Sequence, residues 1–358
     1  MILNVSGIGE SGSSAVIDYL RQYSEIKVID TKSIHVEFQI IHMADGINDL
    51  KYHLVTNHER IACNAAIKRF SRLLKYGLWS RGMRAAYGSR FDDWCQRLTN
   101  DIIQVRWKGK NSGCDPIDIK NSSRYQFVNN IEKQIYRVVH KLNSNWEFPP
   151  KQDKYFAMFS ELDFNELIKK YMAELCEMID IDNSKINILD QLFSSTNMKQ
   201  GTEFFDDARS IIVVRDPRDI YASAQINKQD SRFMPIDDVH AFVKYYQTLR
   251  RNVVADETAI VIQYEDLIYK YKTTVASIQR FLGLSNLPEK EFSYLNPVYG
   301  IKYTNRKDLY KYVESDISVI ERDLCEYLYD FDNVDSPLYD TELISHTSRV
   351  EYNGFNHK

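Results

Sequence analysis

The chain has 358 residues, with 46 Lys+Arg against 50 Asp+Glu for a formal net charge of −4, and 44% of its residues are hydrophobic. That composition belongs to a globular protein long enough for one large domain or a domain with a substantial insert. No run approaches the roughly 20 consecutive apolar residues that a membrane-spanning helix needs, which excludes such a span.

The first residues, Met1-Ile2-Leu3-Asn4-Val5-Ser6-Gly7, enter a strand-like run at once and have neither the basic start nor the cleavage site of a secretory signal. Gly7-Ile8-Gly9-Glu10-Ser11-Gly12-Ser13-Ser14 follows, and then a helix with Val16, Ile17, Leu20 and Tyr23 on one side. Strand, glycine loop and helix in this order make an anion site. Glycines let the backbone turn sharply, and the first helical amides face a phosphate.

Further β-branched runs at Ile26–Asp30, Ile186–Leu189, Ile211–Val214 and Ala259–Gln263 alternate with helix-starting segments, the pattern of a doubly wound parallel sheet in an α/β fold. Between the early and late strands the pattern changes. Phe91, Trp94, Leu98, Ile102 and Val105 share one helical stripe. Phe127, Val128, Ile131, Ile135, Val138, Val139 and Leu142 share a second, and Ile168, Tyr171, Met172, Leu175, Met178 and Ile179 a third. Core packing is expected for all three. The sequence therefore divides into an α/β core over 1–50 and 186–335, a large helical insert over 51–185, and a tail over 336–358.

The insert is basic. Residues 51–152 hold 19 Lys+Arg and 8 Asp+Glu, so the rest of the chain is strongly acidic. Within it, Tyr76, Trp79, Arg81, Arg84, Tyr87 and Arg90 alternate rings and cations, a set that can cover sugar faces and neutralise acidic groups; a solvated amphipathic helix is the plainer reading. Arg81, Arg84 and Tyr87 are the candidate acceptor contacts. Nucleic acid is disfavoured by a pI near 6.1 and the lack of a recognition motif. The five cysteines, Cys63, Cys95, Cys114, Cys176 and Cys325, are odd in number and widely spread, which suits reduced thiols in a cytoplasmic protein. No His/Cys/carboxylate cluster has metal-ligand spacing.

The glycine loop admits three nucleotide classes. Gly7-x-Gly9-x-x-Gly12 is a literal dinucleotide fingerprint, with Asp30 about where a ribose-binding carboxylate belongs, so an NAD(P)-dependent oxidoreductase is one reading. A phosphate-loop kinase needs Lys and then Ser/Thr after the second glycine, whereas Ser13-Ser14 follow Gly12 here. The third class rests on the rest of the chain. After Ile211-Ile212-Val213-Val214 comes Arg215-Asp216-Pro217-Arg218-Asp219-Ile220-Tyr221-Ala222-Ser223, where an arginine fork and a hydroxyl can hold one phosphate between them.

This segment closely resembles the 3′-phosphate-binding element of sulfotransferases that use 3′-phosphoadenosine 5′-phosphosulfate (PAPS). Ser11-Gly12-Ser13-Ser14 resembles their 5′-phosphosulfate loop, and Tyr264-Glu265-Asp266-Leu267 with Phe281-Leu282-Gly283 resembles two later family segments. The resemblance covers roughly 1–50 and 186–330. It implies a sheet of the P-loop sulfotransferase type and transfer of a sulfuryl group from PAPS to a hydroxyl acceptor, for which a carbohydrate, suited to arginines if anionic, is preferred. It further implies Gly9, Ser11, Gly12, Ser13 and Ser14 at the 5′-phosphate, Arg215 and Ser223 at the 3′-phosphate, and Tyr264 near the adenine. Glu37-Phe38-Gln39-Ile40 resembles a stretch where some members carry the acceptor base, which makes Glu37 the first candidate ahead of His35 and Glu10. The family's Lys or Arg before Ser-Gly is Glu10 here. Its carboxylate is expected to face away from the phosphosulfate, with another cation supplied by the insert or by the Lys302–Lys311 region; a catalytically altered homologue is the alternative.

Overall fold

The computed structural model describes residues 1–29, 38–109, 154–159, 163–226, 234–284, 288 and 292–337, together with seven helical positions between 131 and 141. Asp30, His35 and Glu37 lie outside the described residues. The strands are β1 (Ile2–Gly7), β2 (Ile26–Val28), β3 (Val105–Gly109), β4 (Lys154–Met158), β5 (Ile186–Asp190), β6 (Ala208–Val214) and β7 (Ala259–Gln263). Two compact units result, one of residues 1–31, 35–39 and 179–358, the other of residues 32–34 and 40–178.

The first unit is built on a five-stranded sheet in the order β2-β5-β1-β6-β7, and every pairing in it is parallel. Parallel strands are covered on both faces, so they read as continuous apolar runs. Leu3, Val5, Ile188, Ile211, Val213 and Ile262 point to one face and pack against Val16, Ile17 and Leu20 of helix α1 (Ser13–Leu20) and against Leu267, Ile278 and Leu282 of the helices Tyr264–Tyr269 and Tyr271–Leu282. Ile212 and Val214 point the other way, onto Met198. A further core joins Ile220 and Tyr221 of the helix Pro217–Ile226, Phe242 and Tyr246 of Val239–Arg251, and Ile317 and Ile320 of Glu314–Asp323.

The central strand carries a buried polar row. Asn4 of β1 donates to Ser6 Oγ and Ser210 Oγ at 3.2 Å each, and its Oδ1 accepts from the Phe193 amide at 3.0 Å. Asn4 and Ser210 are register partners across β1 and β6, and both are fully buried.

The strand order also separates this sheet from the dinucleotide-binding fold. There the first two strands lie side by side, whereas β5 stands here between β1 and β2.

The second unit packs the helices Arg60–Tyr76, Leu78–Tyr87, Ser89–Ile102 and Phe164–Met178. Glu59 caps the first of these, its carboxylate accepting from the Ile61 and Ala62 amides at 2.8 and 2.9 Å. The stripes Phe91, Trp94, Leu98, Ile102 and Ile168, Tyr171, Met172, Leu175 are buried as expected, and Trp94 Nε1 donates to the Tyr171 carbonyl at 2.9 Å. Beside its helices the unit has an antiparallel pair, β3 and β4, and Asn64 Oδ1 ties β4 to the helix Arg60–Tyr76 by accepting from the Ala157 amide at 3.1 Å. Two expectations are corrected. Val105 begins β3 instead of closing a helical stripe, and it is exposed. Ile131, Ile135 and Val138 are exposed on their helix, so among the described residues that stripe is not core.

Candidate functional site

The site lies in the first unit, at the carboxyl ends of β1 and β6, where ligands bind open parallel sheets. A cavity of about 570 Å³, within the range of small-molecule sites, is lined by Gly7–Ala15, Gln191, Arg215, Ser223, Ile226, Tyr264, Tyr303, Arg306 and Leu309.

The loop after β1 is shaped by contacts that only small residues permit. A β-carbon on Gly7 would meet Ser11 Oγ at 1.9 Å and the Val213 carbonyl at 2.7 Å. Ser11 itself is buried, and its amide closes a tight turn onto the Ile8 carbonyl at 3.0 Å. Gly12 caps α1 at φ 83°, with the Tyr264 ring occupying the space where a β-carbon would point. With no side-chain cap at Gly12, the first amides of α1 are left to the cavity.

β6 delivers Arg215 into this space. The residue is 6% exposed, and its guanidinium lies 5.3 Å from the centre of the Tyr264 ring. Its Nη1 donates to the Glu10 carbonyl at 2.8 Å, and its Nη2 donates to the Tyr303 carbonyl, so one side chain holds two walls of the cavity. Arg215 Nε is buried without a hydrogen-bond partner among the described residues. Tyr246 Oη fixes the backbone of the same residue by donating to its carbonyl at 2.6 Å.

The following residues lock the turn. The Asp216 amide donates to Glu265 Oε1 at 2.9 Å, and the Asp216 carboxylate takes a two-pronged contact from Arg218 at 3.0 and 2.7 Å. Burial pushes the Glu265 carboxyl up to about 7. Arg218 therefore serves the turn, whereas Ser223, eight residues after Arg215 and two turns into the helix Pro217–Ile226, lines the cavity with it.

Of the residues predicted from sequence, Gly9, Glu10, Ser11, Gly12, Ser13, Ser14, Arg215, Ser223 and Tyr264 all line this one cavity. Glu10 has φ 62°, which turns its peptide so that the carbonyl reaches Arg215. Arg81, Arg84 and Tyr87 belong to the helix Leu78–Tyr87 of the second unit. Arg81 is exposed, but Arg84 is occupied, with Nε on Asp92 Oδ1 at 2.5 Å and its Nη atoms on the Lys75 and Leu74 carbonyls. Trp79, counted with them in the ring-and-cation series, is core.

Sequence reasoning did not find Gln191, Tyr303 or Leu309, which carry no motif. Arg306 was within reach, since it belongs to the Lys302–Lys311 stretch expected to supply a cation. It lines the cavity while its Nε and Nη2 pair with Asp308 at 3.0 Å each. Among the described residues no group of His, Cys and carboxylates is placed to hold a metal, and no helix is long and apolar enough to cross a membrane.

A model of the sulfotransferase family matches residues 166–289, about a third of the chain, which takes in β5, β6, the Arg215–Ser223 segment and β7 and bears out the resemblance drawn from that segment. No curated protein matches the chain. Among solved structures, the sulfotransferase domain of the Synechococcus PCC 7002 olefin synthase is similar at 13% identity and a TM-score of 0.38, over 87% of this chain and 81% of that one. The sulfotransferase domain from the curacin biosynthetic pathway is 12% identical with a TM-score of 0.39, over 92% and 98% of the two chains. Sulfotransferase STF9 from Mycobacterium avium is 12% identical with a TM-score of 0.37, over 91% and 75%.

Proposed function

We infer, from the sulfotransferase family's match to residues 166–289 and from the cavity at the ends of β1 and β6, that the protein transfers a sulfuryl group from PAPS to a hydroxyl acceptor. One observation carries the reading. The Gly9–Ser14 loop and the Arg215–Ser223 pair, which the resemblance assigns to the two phosphate ends of one nucleotide, line a single cavity. The donor set fits such a ligand: helical amides without a side-chain cap at one end, and at the other an arginine whose buried Nε–H has no partner among the described residues, with a serine lining the same cavity.

When bound, PAPS supplies the activated sulfuryl group. The chain's part is to hold and orient it. The amides of Ser13 and Ser14 and the positive end of α1 attract the 5′-phosphate, while Arg215 and Ser223 take the 3′-phosphate. Tyr264 packs beneath both, against Gly12 and under Arg215, and so ties the two phosphate sites together as well as lining the cavity. Arg306 is the cation assigned to offset Glu10 as charge develops on the leaving phosphate. Glu37, ahead of His35, is assigned to take the proton of the acceptor hydroxyl.

For the acceptor, a hydroxylated and anionic glycan is the preferred class, supported by the exposed Arg81 and the basic balance of residues 51–152. The thiols Cys63, Cys95, Cys176 and Cys325 are free, which supports a reducing, cytoplasmic setting.

A thermal-shift series with PAP (the desulfated product), NAD, NADP and ATP tests the donor. A ligand that binds only the native state raises the midpoint, by the equivalent of about 2.7 kcal/mol at a hundred times its Kd. PAP is expected to raise it and NAD to leave it unmoved. A shift with NAD and none with PAP would reject the reading.

A further inference from the structure

The cavity wall formed by Tyr303, Arg306 and Leu309 has little regular structure of its own. It consists of one 3-10 turn, Ile301–Tyr303, and a single helical turn, Lys307–Tyr310. A side chain from the helix Pro217–Ile226 holds it. Asp219 Oδ2 accepts from the Asn305 amide at 2.8 Å, and Oδ1 accepts from the Arg306 amide at 2.9 Å and from Tyr310 Oη at 2.6 Å. Asp219 is fully buried and does not line the cavity.

We propose that Asp219 is a positioning residue for donor binding: by gathering the Asn305 and Arg306 amides and the Tyr310 hydroxyl, it carries the Tyr303–Leu309 segment to the cavity and sets Arg306 against the bound nucleotide.

Three features argue for this role over a mere packing contact. All three partners are donors, which is the complement of an ionised carboxylate and not of a protonated one. Burial raises the Asp219 carboxyl, and the nearby Arg215 charge acts against that rise, which couples Asp219 to the arginine that lines the site. Asn305, at φ 48°, turns the chain so that successive amides converge on one side chain. Arg215 grips the same segment from the other side through the Tyr303 carbonyl. Two residues of the Arg215–Ser223 element thus place a wall that arrives 86 to 88 residues later in the chain. Tyr269 Oη adds a contact to Thr304 Oγ1 at 2.8 Å, outside the cavity-lining set.

The proposal rests on the PAPS reading, and its test separates the two. Hydrogen exchange on the apo protein examines the placement alone: Asp219→Asn is expected to speed exchange across 303–310 while β1 and β6 keep their protection. Unchanged exchange there overturns the proposal whether or not PAP binds. Titration of PAP examines the consequence. Asp219→Asn and Arg306→Ala are each expected to weaken binding about tenfold or more, the worth of one hydrogen bond to a charged group. The double variant should lose no more than the weaker-binding single, because both remove the same contact. Multiplied losses would mean that Asp219 acts through general destabilisation, and would reject the positioning role. Should Asp219→Asn not fold, Tyr310→Phe removes one of the three contacts and should show the same coupling to Arg306→Ala at smaller size. Wild-type protein that fails to bind PAP refutes the donor assignment and leaves the exchange result to decide the placement.

Discussion

Gly12 and Tyr264 show how closely single residues constrain this site. With Gly12 at φ 83° and the Tyr264 ring 2.5 Å from the position of a β-carbon, Gly12→Ala meets both a backbone penalty and a clash. We expect a stability loss of at least about 2 kcal/mol in urea denaturation; a change below 0.5 would mean that the ring has room to move. Arg215→Ala should weaken PAP binding by about 1.5–3 kcal/mol by calorimetry. Adenosine 5′-phosphosulfate, which lacks the 3′-phosphate, should lose less, since only the clamp on the Glu10 and Tyr303 carbonyls is then missing. Equal losses would contradict the assignment of Arg215. Glu265 gives a pH signature. Its folded carboxyl titrates at about 7, above the 4.5 of a free glutamate, so between those values the folded chain binds more protons than the unfolded one. This group's contribution to stability therefore falls as pH rises from 4.5 through 7. Glu265→Gln keeps an acceptor for the Asp216 amide and removes the charge. Its stability relative to wild type should improve from pH 5 to pH 8, and a constant difference would place the titration elsewhere.

At the level of elements, what could be read in advance was what is encoded locally. β1, its glycine loop and α1 are contiguous, and β6 runs directly into Arg215 and Pro217, so strand, turn and helix start appear in one stretch of sequence. The five parallel strands were legible because burial on both faces leaves apolar runs. What escaped depends on partners far apart in the chain. β3 reads as a loose continuation of a helical stripe until β4 pairs with it, and the Asp219 contacts join a helix to a segment with no motif. Ile131, Ile135 and Val138 have helical spacing, yet spacing states which residues share a face and not what covers it. The β4 junction is itself testable. Asn64→Ala leaves the buried Ala157 amide without its acceptor, and a loss of about 1–3 kcal/mol is expected in chemical denaturation. No loss would show that the amide finds another partner.

For the molecule as a whole, the cavity lining predicts where a nucleotide is felt. Saturating PAP should slow hydrogen exchange at Gly9–Ser14, Arg215–Ser223 and Tyr303–Leu309, the three lengths of chain that meet at the cavity. Protection centred on β3 and β4 would place the ligand elsewhere.

The polar row inside the central sheet bears on how the chain reaches this arrangement. In a parallel sheet made of apolar runs, many strand alignments bury similar amounts of oily surface, so hydrophobicity alone discriminates weakly among them. Asn4 discriminates strongly. Only with Asn4 opposite Ser210 does its amide meet that hydroxyl while its carbonyl meets the Phe193 amide; slipping β1 by one residue would turn Asn4 to the apolar face with only Ser6 of its own strand beside it, at a cost of about 1–3 kcal/mol for the group left without its partner. The same slip would carry Gly7 away from Val213, and with it the loop that opens the cavity. A misaligned sheet is thereby both less stable and without a phosphate cradle, so one buried asparagine couples fidelity of assembly to the integrity of the site.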